Sequence, residues 1–368
     1  MKKCIVLAFI LMIFASIICL SEPGLKGRDL VELESLNAKV VVDLGGGSIV
    51  DFHITKHGLN PLNWNYPEDG DTLPRTIGHF ICFDRWGQPS PAEEKNGMFF
   101  HGEATKVKWR LRSRPLKKNG KIWVEMSCEL PMAGLRLERK LSLDEREAVV
   151  TVTEEISNFN KLGRVYNIVQ HATFAPPFLD ESVLVDTDVK KGLTQRGKMP
   201  YPEEPVIYWP KAVFEGRLVD FRRLKDDIGP GVISFVFHDN DEYAWATACN
   251  PVKGLLIGYV WKTEEYPWLN LWYNVKDGNP AARGIEFGTT GLHQPYSVLV
   301  KKGEIFGRRL FEYIDADEKI VKSYTVFLAE IPRDYKGVAD IQFEQNSLIL
   351  REHESDSSRD ITISVDRD

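Results

Sequence analysis

The sequence predicts an all-β protein built as a large antiparallel β-sandwich. Apolar and polar side chains alternate along most of the chain, which is the pattern of strands with one buried face. Turn residues such as Lys118-Asn119-Gly120 separate these segments at hairpin spacing, and no segment of eleven or more residues shows convincing helical periodicity. Many short strands joined by tight turns are typical of antiparallel sandwiches and barrels.

The alternation places the individual strands. In the first half it predicts strands over residues 38–44, 48–55, 107–114, 121–130, 134–143 and 148–156. In the second half the same rhythm continues in "GVISFVFH", "YAWATAC", "GLLIGYVW", "WLNLWYN" and "SYTVFLAEI". The Pro-rich stretch 180–210 between the halves predicts a long loop over the sandwich.

The two ends of the chain have their own signals. Lys2 and Lys3 precede an apolar run that ends before Ser21, which predicts a signal peptide over 1–21 and a secreted or periplasmic protein. A retained membrane anchor is the alternative, because about 17 apolar residues is near the lower limit for a span; lipid attachment at Cys19 is a third. One domain is expected over 22–335. Residues 336–368 read as a terminal β-hairpin and charged tail of that same domain.

Composition excludes several classes of function. A net charge of -6 argues against a nucleic-acid partner. After signal removal Cys82, Cys128 and Cys249 remain, so at most one disulfide can form, and no CxxC or Cys/His cluster suggests zinc. Membrane contact is expected only through the N-terminal segment if it is not cleaved. Nothing in the sequence requires an oligomer, and a monomer can suffice.

The segment "PWLNLWYN" is a candidate sugar platform. Alternate residues of a strand share a face, so Trp268, Asn270 and Trp272 point the same way. Indole rings suit the C–H faces of a sugar, and amides suit its hydroxyls. Cross-strand aromatic packing on a covered sheet is the alternative.

A carboxylate and two histidines are candidates for acid–base chemistry. Glu286 lies between Gly284 and Gly288 in "ARGIEFGTTG", where the glycines leave room for a ligand; an acid on an edge strand is the alternative. His101 follows two phenylalanines, and His171 lies in "NIVQHATFAPP". Each histidine alone is better explained by a structural hydrogen bond than by catalysis.

Other motifs give no cofactor site. His53 and His57 have the i, i+4 spacing of a metalloprotease helix but lack its glutamate and lie in a strand-and-turn region. The glycines at 45–47 are followed by neither Lys-Ser/Thr nor a helix, so they form a bend and not a phosphate loop. No metal and no other cofactor is therefore predicted.

Taken in order, four stretches resemble the aldose 1-epimerase (galactose mutarotase-like) superfamily. They are "LGGGSIVDFHITKHGLNPLNW", "RTIGHFICFDRWG" followed by "HGEATKVKW", "VQHATFAPP", and "GIEFGTTG". The resemblance extends over residues 39–332. It implies the galactose mutarotase-like supersandwich and a sugar or oligosaccharide as the partner.

The resemblance also implies roles for particular residues. His171 matches the general acid toward the ring oxygen, and Glu286 matches the general base on the anomeric hydroxyl. His101 matches a histidine that hydrogen-bonds the sugar near the reacting centre, and Arg75 an arginine that contacts its hydroxyls. A carboxylate and a protonated imidazole can open a pyranose without a cofactor. Thr105 stands where the sugar-phosphate branch has arginine, which argues against a phosphorylated substrate.

Three functions follow as hypotheses. The first is an exported, cofactor-free aldose 1-epimerase-type isomerase. The second is a carbohydrate-binding module that does no chemistry. The third is a glycoside hydrolase or polysaccharide lyase, which would need a second carboxylate about 5 to 10 Å from Glu286; Asp84 and Glu103 are the candidates.

Overall fold

A computed structural model of the chain describes residue 25 and the ranges 27–65, 76–214, 216–223 and 231–365. The predicted signal peptide, the lipid-attachment candidate Cys19 and the substrate-binding candidate Arg75 lie outside these residues. Export therefore stays a prediction.

Strands form most of the described chain. Those of the first half are β1 (Leu30–Glu34), β2 (Ala38–Asp43), β3 (Ser48–Ile54), β4 (His79–Phe83), β5 (Arg110–Leu111), β6 (Leu116–Lys118), β7 (Lys121–Leu130), β8 (Leu135–Asp144), β9 (Val149–Asn158), β10 (Arg164–Tyr166), β11 (Ile168–Phe174), β12 (Leu184–Thr187), β13 (Lys191–Thr194) and β14 (Ile207–Tyr208). Those of the second half are β15 (Lys211–Phe214), β16 (Arg217–Asp220), β17 (Gly231–Val236), β18 (Tyr243–Asn250), β19 (Leu255–Lys262), β20 (Trp268–Lys276), β21 (Asn279–Gly288), β22 (Glu304–Ile305), β23 (Arg308–Arg309), β24 (Glu312–Ile314), β25 (Lys319–Glu330), β26 (Val338–Glu344), β27 (Ser347–Glu352) and β28 (Ile361–Ser364).

Helices are few and short. They are the α-helices α1 (Pro91–Lys95) and α2 (Tyr296–Lys302) and the 3₁₀ turns Ala104–Lys106 and Ser357–Arg359. Within the described ranges, no helix has the length and hydropathy of a membrane span.

Two large antiparallel sheets make the sandwich. Over the described residues the first sheet has ten strands, in the order β1-β2-β3-β4-β11-β21-β20-β17-β13-β14. The second has nine, with the order β12-β18-β19-β25-β9-β8-β7-β5 and β6 also beside β7. The predicted all-β antiparallel sandwich is confirmed.

The core lies between the two sheets. Ile81 and Ile285 of the first sheet share one apolar cluster with Leu137, Val152 and Ile257 of the second. The predicted period of two appears directly in β8, whose apolar side chains are buried while the alternate polar ones are partly exposed. Each fully buried aliphatic side chain contributes about 1.5–3 kcal/mol relative to exposure.

Three sequence predictions about elements need revision. The stretch 180–210 is not only a loop, because it adds β12 to the second sheet and β13 and β14 to the first. The predicted strand 107–114 shortens to β5, since Trp109 is buried and donates its indole N–H to Ala104 O (3.1 Å). The terminal hairpin exists as β27 and β28, but β26 joins it as a third strand.

The terminal three-stranded sheet packs on the outer face of the second large sheet. Leu348 and Leu350 share a buried apolar cluster with Trp245 and Leu256. Cys82, Cys128 and Cys249 are all buried and free, so no two of them pair.

Candidate functional site

The candidate site lies on the outer face of the first sheet. In β11, Gln170 points to the interior, where it donates to Glu154 (2.7 Å), and the next residue, His171, therefore points outward. His171 is opposite Phe80 of β4 on one side and opposite Glu286 of β21 on the other. The strand register thus brings together two residues that are more than a hundred positions apart in the sequence.

His171 and Glu286 are in direct contact. The Nε2 atom of His171 lies 3.1 Å from Oε1 of Glu286, and both side chains are buried. The approach is close but not aligned as a hydrogen bond, and within the described part of the chain Oε1 has no hydrogen-bond partner. Thr173 Oγ1 lies 2.9 Å from Nδ1 of His171, and Phe80 stacks on the imidazole at 4.1 Å. These two contacts fix the orientation of the ring.

Trp86 binds the second oxygen of the carboxyl group. It lies shortly after the end of β4, and its indole N–H donates to Oε2 of Glu286 (2.7 Å). One oxygen of Glu286 is therefore held by a neutral donor, while the other faces the imidazole.

A cavity of about 290 Å³ opens above this pair, near the lower end of the range for small-molecule sites. Its walls are mainly aromatic, and Trp64 meets Trp272 edge-on at 5.5 Å. The described lining residues are Trp64, Thr76, Phe80, Trp86, Phe100, His101, Lys106, His171, Val232, Trp272, Glu286 and His293.

His101 enters the cavity from a loop that folds back on the end of β4. Its backbone N–H donates to Gly87 O (3.2 Å), and the N–H of Gly87 donates to its Nδ1 (3.2 Å). Because Nδ1 accepts, the ring proton is on Nε2, where it can be donated to a ligand. Gly102 allows this fold, since a Cβ there would lie 2.0 Å from Phe83 O.

Burial controls the protonation of the pair. Desolvation raises the pKa of Glu286 to about 8, although the hydrogen bond from Trp86 opposes this rise. Desolvation also holds the pKa of His171 well below its usual value. At neutral pH Glu286 is therefore protonated and His171 is neutral. The sequence predicts the carboxylate–imidazolium form instead; desolvation of two charges in one buried site outweighs their attraction.

The two other histidines of the cavity are also neutral. Desolvation, followed by repulsion from His171, keeps the pKa of His101 well below its ordinary value. Desolvation, followed by the charge of Arg85, lowers the pKa of His293 to about 4. Both can serve as hydrogen-bonding groups for hydroxyls at neutral pH.

The proposed sugar platform is only partly present. Trp272 lines the cavity, but Trp268 and Asn270 do not. Trp268 is covered by the chain after β21 and donates to Arg309 O (2.7 Å), and Asn270 is buried and donates to Thr290 O (3.1 Å). The binding role predicted for these two side chains is not supported by their positions.

Neither candidate second carboxylate lines the cavity. Asp84 receives two hydrogen bonds from Nη2 of Arg164 (2.7 and 2.9 Å). Glu103 accepts the backbone N–H groups of Met132 and Ala133. Both carboxylates serve to hold loops. Over the described residues, no group of three or more His, Cys, Asp or Glu side chains could hold a metal ion.

Several lining residues were not predicted from the sequence. The polar or aromatic lining residues that the sequence did not predict are Trp64, Thr76, Phe80, Trp86, Phe100, Lys106 and His293. Trp86 lies inside "RTIGHFICFDRWG", one of the stretches that carry the resemblance, and His293 follows shortly after "GIEFGTTG". Their position in the segments that follow β4 and β21 is the signal that could have identified them.

Comparisons with known proteins support the fold. No protein-family model and no curated protein matches the sequence. A protein from Klebsiella pneumoniae proposed to be an aldose 1-epimerase is 15% identical, with a TM-score of 0.59 over 85% of this chain and 82% of its own. A galactose mutarotase-like protein from Clostridium acetobutylicum is 16% identical, with a TM-score of 0.60 over 83% and 96%. A galactose mutarotase-like protein from Lactobacillus casei is 13% identical, with a TM-score of 0.56 over 82% and 100%. The chain therefore has the galactose mutarotase-like fold.

Proposed function

We propose that this protein is a cofactor-free isomerase of the aldose 1-epimerase type, which interconverts the anomers of a free sugar. The observation that carries the proposal is the contact between His171 and Glu286, 3.1 Å apart at the floor of an aromatic-walled cavity. Buried acid–base pairs with perturbed pKa values are typical of catalytic sites. The galactose mutarotase-like fold supports the same class by analogy.

The pair can supply both proton transfers that the reaction needs. Ring opening requires one proton to arrive at the ring oxygen while another leaves the anomeric hydroxyl. With Glu286 protonated and His171 neutral, the carboxyl group can donate and the imidazole can accept. Such assistance contributes on the order of 10²- to 10⁴-fold.

The remaining walls suit a single sugar ring. Trp64, Trp272 and Phe100 provide apolar surface for C–H groups. Nε2–H of His101 is a donor for a hydroxyl near the pair.

Anomeric exchange by NMR on a panel of free aldoses tests the proposal. We expect Glu286→Gln and His171→Asn to lower the catalysed exchange rate by roughly 10²-fold or more. Glu330→Gln is the matched control, because Glu330 also contacts a histidine, His57, but on the exposed surface. Its rate should equal that of the wild type.

Two results would contradict the proposal. If the wild type accelerates exchange of no sugar on the panel, or if Glu286→Gln keeps the full rate, the isomerase assignment is wrong. Sugar binding without acceleration would instead favour the non-catalytic carbohydrate-binding alternative.

We further propose that the protein acts outside the cytoplasm, on the strength of the basic and apolar N-terminal segment 1–21. Cell fractionation and the mass of the mature N-terminus test this. A full-length chain in the cytoplasmic fraction would refute it.

A further inference from the structure

Lys106 is a charged residue in the wall of the cavity with no assigned role. It is half-buried and ends the 3₁₀ turn Ala104–Lys106. The turn is fixed on both sides: Lys106 donates its backbone N–H to Glu103 O (2.8 Å), and Ala104 and Thr105 are buried. The side chain therefore starts from a rigid base beside the cavity.

The charge of Lys106 is not balanced within the described part of the chain. Two other half-buried lysines have carboxylate partners, since Lys39 pairs with Glu32 at 2.9 Å and Lys302 with Glu203 at 2.9 Å, while Lys191 lies over the ring of Phe306. No described carboxylate pairs with Lys106, although a half-buried cation gains from a partner. Its field reaches the site, since its charge contributes to lowering the pKa of His101.

The other described titratable groups of the wall do not compensate. Glu286 is protonated at neutral pH, and His101, His171 and His293 are uncharged. The described lining therefore carries one positive charge in a mainly apolar enclosure, where an opposite charge on a ligand is attracted more strongly than in water.

We propose that the sugar taken by this cavity carries a carboxylate, as a hexuronic acid does, and that Lys106 forms an ion pair with it. The inference rests on the proposed function, because it names the substrate class of the same site. Among the described lining residues, the one lysine balances the single charge of a carboxylate. A phosphate monoester carries about -1.5 to -2 charges and would call for further cations.

The test compares three kinds of sugar on three proteins. Anomeric exchange is measured for glucose and galactose, for glucuronate and galacturonate, and for glucose 6-phosphate, with the wild type, Lys106→Met and Lys108→Met. Lys108 is the matched control, because it is an exposed lysine two residues away that pairs with Asp29 (2.5 Å) and does not line the cavity.

For the wild type we expect a higher kcat/KM for the hexuronates than for the neutral hexoses. Lys106→Met should lower the ratio of the hexuronate kcat/KM to the hexose kcat/KM by tenfold or more. Lys108→Met should leave this ratio unchanged. The hexuronate KM should also rise with salt in the wild type and lose that dependence in Lys106→Met. Equal ratios in wild type and Lys106→Met would overturn the inference, as would a preference for glucose 6-phosphate.

Binding separates failure of this inference from failure of the proposed function. Trp64, Trp86 and Trp272 line the cavity, so tryptophan fluorescence reports hexuronate binding without catalysis. Lys106-dependent hexuronate binding with no exchange would retain the inference and refute the isomerase function. Exchange of neutral hexoses with no Lys106-dependent preference for hexuronates would retain the isomerase function and refute this inference.

Discussion

Replacing Glu286 by glutamine should lower the catalysed exchange rate by roughly 10²-fold or more and at the same time stabilise the fold. Burial raises the pKa of this carboxyl group from 4.5 to about 8. In the unfolded chain the group ionises near its ordinary value, so at neutral pH folding must take up a proton. A raised pKa in the folded state gives stability that is fully present below the unfolded pKa and is lost as pH rises through the folded pKa.

The size of the effect follows from the two pKa values. Relative to a neutral residue in the same place, the carboxyl group costs less than about 1 kcal/mol of unfolding free energy at pH 5. The cost is about 3 kcal/mol at pH 7 and approaches about 5 kcal/mol above pH 8. Glutamine keeps the shape of the protonated acid, and its carbonyl oxygen can still accept from Trp86.

Urea unfolding of both proteins at pH 5, 7 and 8.5 measures this difference. We expect the unfolding free energy of Glu286→Gln to exceed that of the wild type, and the difference to grow from pH 5 to pH 7 and again to pH 8.5. Glu330→Gln is the control, since the pKa of that exposed carboxyl is lowered by hydrogen bonding to His57 and its neutralisation should give no such gain. A Glu286→Gln difference that is flat over this pH range would refute the assignment of a raised pKa.

The remaining predictions concern the neighbours of the pair. The exchange rate should fall as pH rises through about 8, because Glu286 then loses the proton of the pair. Trp86→Phe removes a hydrogen bond that lowers the pKa of Glu286, so in the pH–rate profile of this variant the fall in rate should occur at higher pH than in the wild type. In His101→Asn the new side chain is compatible with the positive φ of 61° at this position, but the Nε2 donor is lost. The KM measured from exchange rates should therefore rise roughly three- to tenfold, and an unchanged KM would contradict a contact between His101 and the sugar. Gly284→Ala places a Cβ 2.9 Å from Oε1 of Glu286, and kcat/KM should fall about tenfold or more while circular dichroism stays native.

The pairing of His171 with Glu286 was accessible from the sequence only through resemblance. Alternation predicts which residues of a strand share a face, and it places Gly284 and Glu286 together correctly. It does not give the order of strands in a sheet. That β11 and β21 are neighbours depends on a chain path in which more than a hundred residues intervene, and the resemblance supplied that information.

The sugar platform shows the limit of face prediction. Trp268, Asn270 and Trp272 do alternate on one face of β20, as period two requires. The residues of that face differ in what packs on them. The segment after β21 packs on Trp268, where Gly291 lies against the indole. Only Trp272 at the other end remains in the cavity. Burial of a strand face under a segment from elsewhere in the chain is a tertiary property, and it leaves no periodic signal in the sequence of the strand itself.

The protonation of the pair has a consequence for the whole of the proposed catalytic cycle. The carboxylate–imidazolium form expected from the sequence and the neutral form favoured by burial hold the same single proton and differ only in its position across 3.1 Å. If Glu286 donates to the ring oxygen while His171 accepts from the anomeric hydroxyl, the open-chain sugar meets the charged form. Ring closure on the other face of the aldehyde returns both protons and restores the neutral form. Two protons move in each step, but the pair holds one proton before and after it, so the buried site needs no exchange with solvent between opening and closing.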